Sequence, residues 1–523
     1  MSKQFVCRHD YPIADTPNGK LHGYEWDNVL YFLGIRYATA RRFHQPEPVE
    51  PWEGVKPANT CGPTAPVYGQ GVPRSDFHVP HRYWPTSEDC QYLNVWTKSL
   101  DPEAKKPVLV WFHGGGFSTG SAMEGVSYDC DELARHGDVV TVSVNHRLNL
   151  LGFLDMSAFG EEYANSVNAG IMDLVEALRW VKKNIAAFGG DPDNVTIFGQ
   201  SGGGGKVISM LQTYEAAGLF HKAIIISGAA NLMGDPNADA SVYVREMLKE
   251  LHFREDQVKE LEDVPYDILM QAYNRAVKKI GRPLMWGPVK NAWFHGYPTV
   301  WGFTEYAKKV PVIVGTAIGE FNAYAGRVPS YVSEEEKMAL LDKHFGGHGK
   351  EVVEAFVKDY PGKDISVASK VDTMFRQGAV DFARKRCEDC PDVPTWVYVF
   401  GLVFNINDST PCWHSGDIPF FTHTTSRIPN ANFGDFTERL ESEVSGAVLA
   451  MAKNGDPNHE GLGEWPPYTP EEEATMIFDI KSEARPHPDR ELAEALRAFA
   501  PEARDPRPPK KEDNRVPDRV WYY

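Results

Sequence analysis

Val195-Thr196-Ile197-Phe198-Gly199-Gln200-Ser201-Gly202-Gly203 breaks a β-branched run at glycine, sets one serine two residues later, and resumes glycine before an apolar helical stretch. A G-x-S-x-G pattern between strand and helix is the context of a nucleophile elbow. The turn is so tight that residues flanking the serine must be minimal, and it lifts the serine Oγ clear of the sheet. Glycine turns are common, so the motif gains weight only if the chain also supplies a base, an acid to orient it, and donors for an oxyanion.

Upstream, Val108-Leu109-Val110-Trp111-Phe112 is a continuous apolar run, as expected of a strand buried on both faces of a parallel sheet. Val139-Val140-Thr141-Val142-Ser143-Val144 is a second. An amphipathic helix follows, with Leu174, Leu178, Val181 and Ile185 on one face and Gly189, Gly190 and Pro192 as its stop. After the serine, a helix is predicted from about Lys206, then strands at Ala223-Ile224-Ile225-Ile226, Pro311-Val312-Ile313-Val314-Gly315 and Trp396-Val397-Tyr398-Val399-Phe400. Residues 235–279 read as charged and helical. The first 50 or so residues read as short strands, clearest at Tyr31-Phe32-Leu33-Gly34-Ile35, and residues 46–66 as proline-punctuated loop. Strands alternating with helices imply an α/β fold with a large, mostly parallel central sheet flanked by helices. No repeat or linker divides the chain, so residues 1–500 are expected to form one domain and residues 501–523, rich in proline and charge, a loosely held tail.

Composition narrows the function. A formal charge of −18 argues against nucleic acid or an anionic membrane as partner, because both select basic surfaces. The N-terminal segment has no apolar core of signal-peptide length, and no run approaches the ~18–20 apolar residues of a spanning helix. A soluble, cytoplasmic protein is expected. Seven cysteines, an odd and sparse set, fit reduced thiols better than a disulfide framework. The sequon Asn194-Val195-Thr196 falls in the strand before the serine and reads as coincidence.

Ser201 is the candidate nucleophile, and a neighbouring imidazole must take its proton as it attacks. His414, in Pro411-Cys412-Trp413-His414-Ser415-Gly416-Asp417, follows a core strand in a turn-rich loop, where it can overhang the C-terminal edge of a sheet. Glu320 ends the Pro311–Gly315 strand region and can hold that imidazole in one tautomer. Either residue alone reads more simply as a solvated side chain. Together they give the chain order Ser…Glu…His used by α/β-hydrolases. His113-Gly114-Gly115-Gly116-Phe117 matches the H-G-G-G oxyanion loop rather than a plain turn. With no Cβ, its backbone N–H groups can crowd a bound carbonyl. The N–H of Gly202 would be a third donor.

At this density of motifs the chain resembles the type-B carboxylesterase/cholinesterase family of α/β-hydrolases, para-nitrobenzyl-esterase-like in kind, over residues 15–480. The matching pieces include Phe32-x-Gly34-Ile35-x-Tyr37-Ala38, Ser87-Glu88-Asp89-Cys90-x-Tyr92-Leu93-Asn94-Val95-Trp96 and Asn145-x-Arg147-Leu148-x-x-Leu151-Gly152-Phe153. They continue through Phe188-Gly189-Gly190-Asp191-Pro192-x-Asn194 and Gly218-Leu219-Phe220-His221-x-Ala223-Ile224 to Ser227-Gly228. The resemblance implies a Ser201/Glu320/His414 triad and oxyanion donors from Gly115, Gly116 and Gly202. It also implies a structural ion pair between Arg42 and Glu88, and inserted helices and loops forming a gorge over the site. The implied activity is cofactor-independent and metal-free hydrolysis of a small-molecule carboxylic ester through an acyl-enzyme. Hydrolysis of an amide, carbamate or bulky aryl ester is the alternative, and a non-catalytic adhesion or scaffold role is a further one.

Departures from the family pattern sharpen this reading. Gln200 stands where the family usually has glutamate, which removes a carboxylate that would favour an imidazolium and weakens a cholinesterase reading. Gly202, Gly203, Gly204 and Gly205 replace alanine and mixed residues, so either the helix packs very closely on its neighbours or the space above Ser201 is wide. Cys90 matches a position that is often disulfide-bonded, but Ala65 stands at the partner position and Cys61 is displaced, so no bridge is expected. The stretch Ala38-Thr39-Ala40-Arg41 replaces a longer gorge-entrance loop. Gly205-Lys206 is a P-loop look-alike without the first glycine or the Ser/Thr. Cys387 with Cys390, and His344 with His348, lack further ligands for a metal site.

Overall fold

The computed structural model describes residues 4–69, 81–230, 233–235, 238–324, 328–406 and 409–500; the expected tail lies outside them. Its centre is a sheet whose strands, in chain order, are β1 (Phe5–Val6), β2 (Tyr24–Trp26), β3 (Val29–Arg36), β4 (Tyr92–Thr97), β5 (Lys106–Phe112) and β6 (Val140–Val144). They continue with β7 (Gly190–Gln200), β8 (Lys222–Ile226), β9 (Val312–Ala317), β10 (Thr395–Phe400), β11 (Thr475–Phe478) and β12 (Glu483–Arg485). The spatial order is β1-β2-β3-β4-β6-β5-β7-β8-β9-β10-β11-β12. The run from β6 to β11 is parallel. The antiparallel pairings are confined to the two flanks, with β1 to β4 on one side and β12 on the other.

The unbroken apolar runs of the inner strands have a direct cause. Val108, Val110 and Phe112 of β5 join one core with Leu174, Leu178 and Val181 of the helix Ala169–Asn184. Leu109 and Trp111, on the alternate side, join another with Leu440, Val444 and Met451 of the helix Asp435–Asn454. Neighbouring residues of β8 divide in the same way, Ala223 and Ile225 against Ile224 and Ile226. Helices cover both faces, so neither face of a central strand meets water.

Several boundaries differ from expectation. The α-helix ends at Asn184 and passes through a 3-10 turn, Ile185–Phe188, to Gly189 at φ +74°. Gly190 and Pro192 already belong to β7. Residues 46–66 hold two short strands, Pro46–Pro48 and Val55–Pro57. The charged stretch forms the helices Ala240–Glu250 and Tyr266–Ile280, whose inner faces make a separate core with Phe43, Leu151 and Tyr163.

Arg42 clamps that insert to the body. Its guanidinium pairs with Glu88 (Nε to Oε2 2.8 Å) and donates to the carbonyls of Leu261 and Val264, both at 2.6 Å. All seven cysteines are free, and Cys90 packs in a small buried cluster with Ala65 and Leu148.

Candidate active site

Ser201 occupies the turn between β7 and the helix Gly202–Leu211, at φ 59° and ψ −126°. An L-residue holds such a conformation only where its surroundings over-determine it. Here the Ser201 N–H is bound to the Ile226 carbonyl at the end of β8 (2.9 Å) and its own carbonyl accepts from Gly205 N (3.0 Å). The helix therefore starts at Gly202, not near Lys206, and the glycines form its first turn.

Their purpose is close approach. A Cβ on Gly204 would lie 2.8 Å from the Gly228 Cα, and one on Gly203 or Gly202 would overlap the Phe112 carbonyl or Gly116 respectively. Of the two sequence alternatives, tight helix packing is the one observed.

The second segment, His113-Gly114-Gly115-Gly116, leaves the end of β5, with Gly115 at φ +86°. The Gly115 carbonyl accepts from the N–H groups of Ser118 (3.3 Å) and Thr119 (3.0 Å), folding the loop back on itself. Among the described residues, no protein acceptor is bonded to the N–H of Gly115, Gly116 or Gly202. Three idle backbone donors beside a strained serine are poised for an anion.

Glu320 (φ 44°) and His414 meet across a backbone bridge between Glu320 and Trp413, reinforced by Gly319 N to Cys412 O at 3.0 Å. The fully buried Glu320 carboxylate accepts from Ala317 N (2.8 Å) through Oε1 and from His414 Nδ1 through Oε2. That bond puts the ring proton on Nδ1 and leaves the Nε2 lone pair for use as a base. Gln200 Nε2 donates to this lone pair (3.3 Å), while Gln200 Oε1 accepts from Ser415 Oγ (3.3 Å). The structure thus brings Gln200, His414 and Glu320 together, with Gln200, the residue before Ser201 in the chain, engaged on the ring nitrogen Nε2.

Two further acids surround Glu320 and were not singled out from sequence. The buried Asp372 carboxyl accepts from the N–H groups of Met374 (3.1 Å) and Arg376 (2.7 Å). Its burial, and then the Glu320 charge, push it up to about 7. Asp417 is fully buried, among the described residues neither of its oxygens makes a well-formed hydrogen bond, and burial, with Glu320 second, raises it well above the carboxylate range. Of the three acids, Glu320 is the one hydrogen-bonded to the imidazole.

Phe321 and Phe375 lie on the His414 ring, with centroids 4.1 and 5.0 Å away. Phe321 (39% exposed), Tyr324 (45%) and Met374 (38%) leave the described wall on this side open and apolar. No sequence pattern marked these aromatics, because their spacing along the chain is irregular. Lys206, set aside as part of a false P-loop, is fully buried beneath the glycine loop. Among the described residues no group of three or more His, Cys, Asp or Glu is arranged to hold a metal ion, and no helix is long and apolar enough to cross a membrane.

The carboxylesterase family model matches residues 10–497. Para-nitrobenzyl esterase of Bacillus subtilis (strain 168) is 31% identical over 498 residues, covering 93% of this chain and 98% of that protein. Phenmedipham hydrolase of Pseudarthrobacter oxydans is 31% identical over 487 residues, 89% and 94% of the two chains. Among solved structures, an esterase from anaerobic Clostridium hathewayi, described as able to hydrolyse aliphatic aromatic polyesters, superposes with a TM-score of 0.91. It is 45% identical, and the match covers 95% of this chain and 100% of that one. The chain belongs to the carboxylesterase family and has its α/β-hydrolase fold.

Proposed function

From that membership we propose that the protein is a serine carboxylesterase working through a Ser201/His414/Glu320 triad. The observation that carries the mechanism is the His414 ring, tied by Nδ1 to a buried carboxylate and presenting Nε2 toward the elbow that holds Ser201. Ser201 Oγ attacks the ester carbonyl while His414 Nε2 takes its proton, the serine displacing Gln200 Nε2 from the ring nitrogen. The N–H groups of Gly115, Gly116 and Gly202 receive the tetrahedral oxyanion; each such donor is worth about 3–4 kcal/mol of transition-state stabilisation. His414 then protonates the departing alcohol. In the second half, the same nitrogen activates water, which releases the acid and restores Ser201. Each step conserves its proton between Oγ, Nε2, alcohol and water, so the cycle calls for no cofactor or metal.

The test is hydrolysis of a p-nitrophenyl ester series by wild type and Ser201→Ala, with fluorophosphonate labelling read by mass spectrometry. Turnover lost in the variant and a label on Ser201 are the expected results. A folded wild type that neither turns over nor takes the label favours the scaffold reading instead.

The exposed rings beside His414 favour a substrate with an aromatic acyl or alcohol part, in line with the polyester-cleaving relative. Phe321→Ala is expected to lower kcat/KM for a benzoate ester several-fold more than for an acetate. Equal losses on both would remove the aromatic preference.

A further inference from the structure

A lysine in a protein core is ordinarily excluded, because removing an ammonium from water is costly unless a carboxylate compensates it. Lys206, one turn beyond Ser201 on the same helix, is such a lysine. It is wholly buried, and among the described residues no carboxylate lies within ion-pair distance of Nζ; the Glu124 charge acts on it from farther away. Among the described residues its one hydrogen bond runs from Nζ to the carbonyl of His113, at 2.8 Å.

That carbonyl sits at a mechanically important point. The His113–Gly114 peptide is the hinge between the rigid end of β5 and three glycines that have no side chains with which to anchor themselves. The far end of the loop is fixed by Ser118 and Thr119 on the Gly115 carbonyl. The near end is fixed by Lys206 and by His113 Nδ1, which donates to the Gly114 carbonyl (2.8 Å). Between these anchors stand the idle N–H groups of Gly115 and Gly116.

His146 stacks on His113 with centroids 5.2 Å apart, and among the described residues neither of its ring nitrogens nor His113 Nε2 makes a well-formed hydrogen bond. Both imidazoles are held well below their ordinary value, by burial first and then by the Lys206 charge. The cluster thus carries one positive charge at most, and it stands on Lys206, directly behind the donors.

We propose that Lys206 is a positioning residue for the oxyanion hole: through the His113 carbonyl it fixes the near end of the glycine loop, so that the Gly115 and Gly116 N–H groups are aimed before substrate arrives. Preorganised donors are what make such a hole effective, and a loop of three glycines left unanchored would spread over many conformations. The ammonium also adds positive potential behind the developing oxyanion. This inference rests on the esterase reading, and its test separates the two.

Full-length Lys206→Met and Lys206→Gln are compared with wild type for melting temperature, for kcat and KM on p-nitrophenyl acetate, and for amide hydrogen exchange of the segment 113–119. Replacing an uncompensated buried charge by an apolar side chain of similar length is often neutral or stabilising. A passive lysine therefore predicts a Met variant that is stable and fully active. The positioning role predicts a stable Met variant with kcat about 30-fold lower, below the roughly 100-fold of a deleted donor. It also predicts KM within about threefold and exchange of 113–119 several-fold faster, with Gln, which keeps an N–H donor, recovering part of each. A folded Met variant with kcat and exchange both at the wild-type level overturns it. If wild type hydrolyses no ester, the esterase reading fails by itself, and unchanged exchange in the variant still overturns the anchoring role.

Should Met not fold, Lys206→Gln decides. Its shorter amide reaches less far than Nζ toward the His113 carbonyl, so kcat is expected to fall and exchange of 113–119 to quicken. A folded Gln variant at the wild-type level in both refutes the anchor.

Discussion

Ser201 stands between two walls built on opposite principles. On one side Gly116, the Phe112 carbonyl and Gly228 press on Gly202, Gly203 and Gly204 of the elbow helix, and backbone touches backbone with no room for a Cβ on those three. On the other, His414 is set among side chains: Glu320, Gln200, Phe321 and Phe375. The first wall is determined by close backbone contact and by the Lys206 hydrogen bond behind it. The second is determined by proton positions and ring contacts, so its chemistry can change while its shape persists.

The largest expected effect falls on the second wall. In Glu320→Gln the amide can present its N–H to Nδ1, which favours the tautomer with the proton on Nε2 and removes the base. A loss of about 10⁴ in kcat is expected, the size seen when the orienting acid of a triad is neutralised. Urea unfolding should show stability kept or raised, because a charge next to buried Asp372 and Asp417 is gone. A variant that retains a tenth of wild-type kcat would end the assignment of Glu320 as the orienting acid.

Gly203→Ala makes the converse test on the first wall. Its methyl would overlap the Phe112 carbonyl, which as strand backbone cannot swing aside. Overpacking of this kind costs about 1–3 kcal/mol. Stability and activity should fall together, and an unaltered melting temperature would show that the contact has slack.

Asp372 links the second wall to pH. Its folded carboxyl is raised to about 7, above the unfolded value of about 3.9. The native state therefore binds more protons than the unfolded state between about pH 4 and 7, and stability falls as pH rises through that window. Asp372→Asn should remove this slope, at most about 1.4 kcal/mol per pH unit. Urea midpoints at pH 5 and 7.5 measure it, and a variant with the wild-type slope would place its origin elsewhere.

The smallest expected change comes from Gln200→Glu. A carboxylate 3.3 Å from Nε2, in place of the amide, favours the imidazolium and should move the acid limb of kcat/KM to higher pH by about one unit. An identical pH–rate profile would mean that position 200 does not reach the base in solution.

The fold was legible because helices cover both faces of the inner strands. That requirement writes itself along β5 and β8 as unbroken apolar runs, which need no partner to be recognised. The edges were less legible. Pro46–Pro48 and Val55–Pro57 are short and paired only with other short strands, so proline outweighed them in the sequence. The helix starts four residues before the point that propensity suggests, because four glycines argue against helix, whereas close contact with Gly116, the Phe112 carbonyl and Gly228 requires Gly202, Gly203 and Gly204.

By itself the sequence determined the elbow at Ser201, the loop at Gly114–Gly116 and the chain order Ser…Glu…His. Each is a local constraint, since a turn that admits only small residues leaves its mark at adjacent positions. Only the tertiary structure decided that Phe321 covers the His414 ring, that Asp372 and Asp417 crowd Glu320, and that Lys206 holds the His113 carbonyl. These contacts join segments dozens to hundreds of residues apart, with side chains whose types are ordinary where they stand. Their chemistry arises from the neighbours that folding brings, and no periodicity along the chain records it.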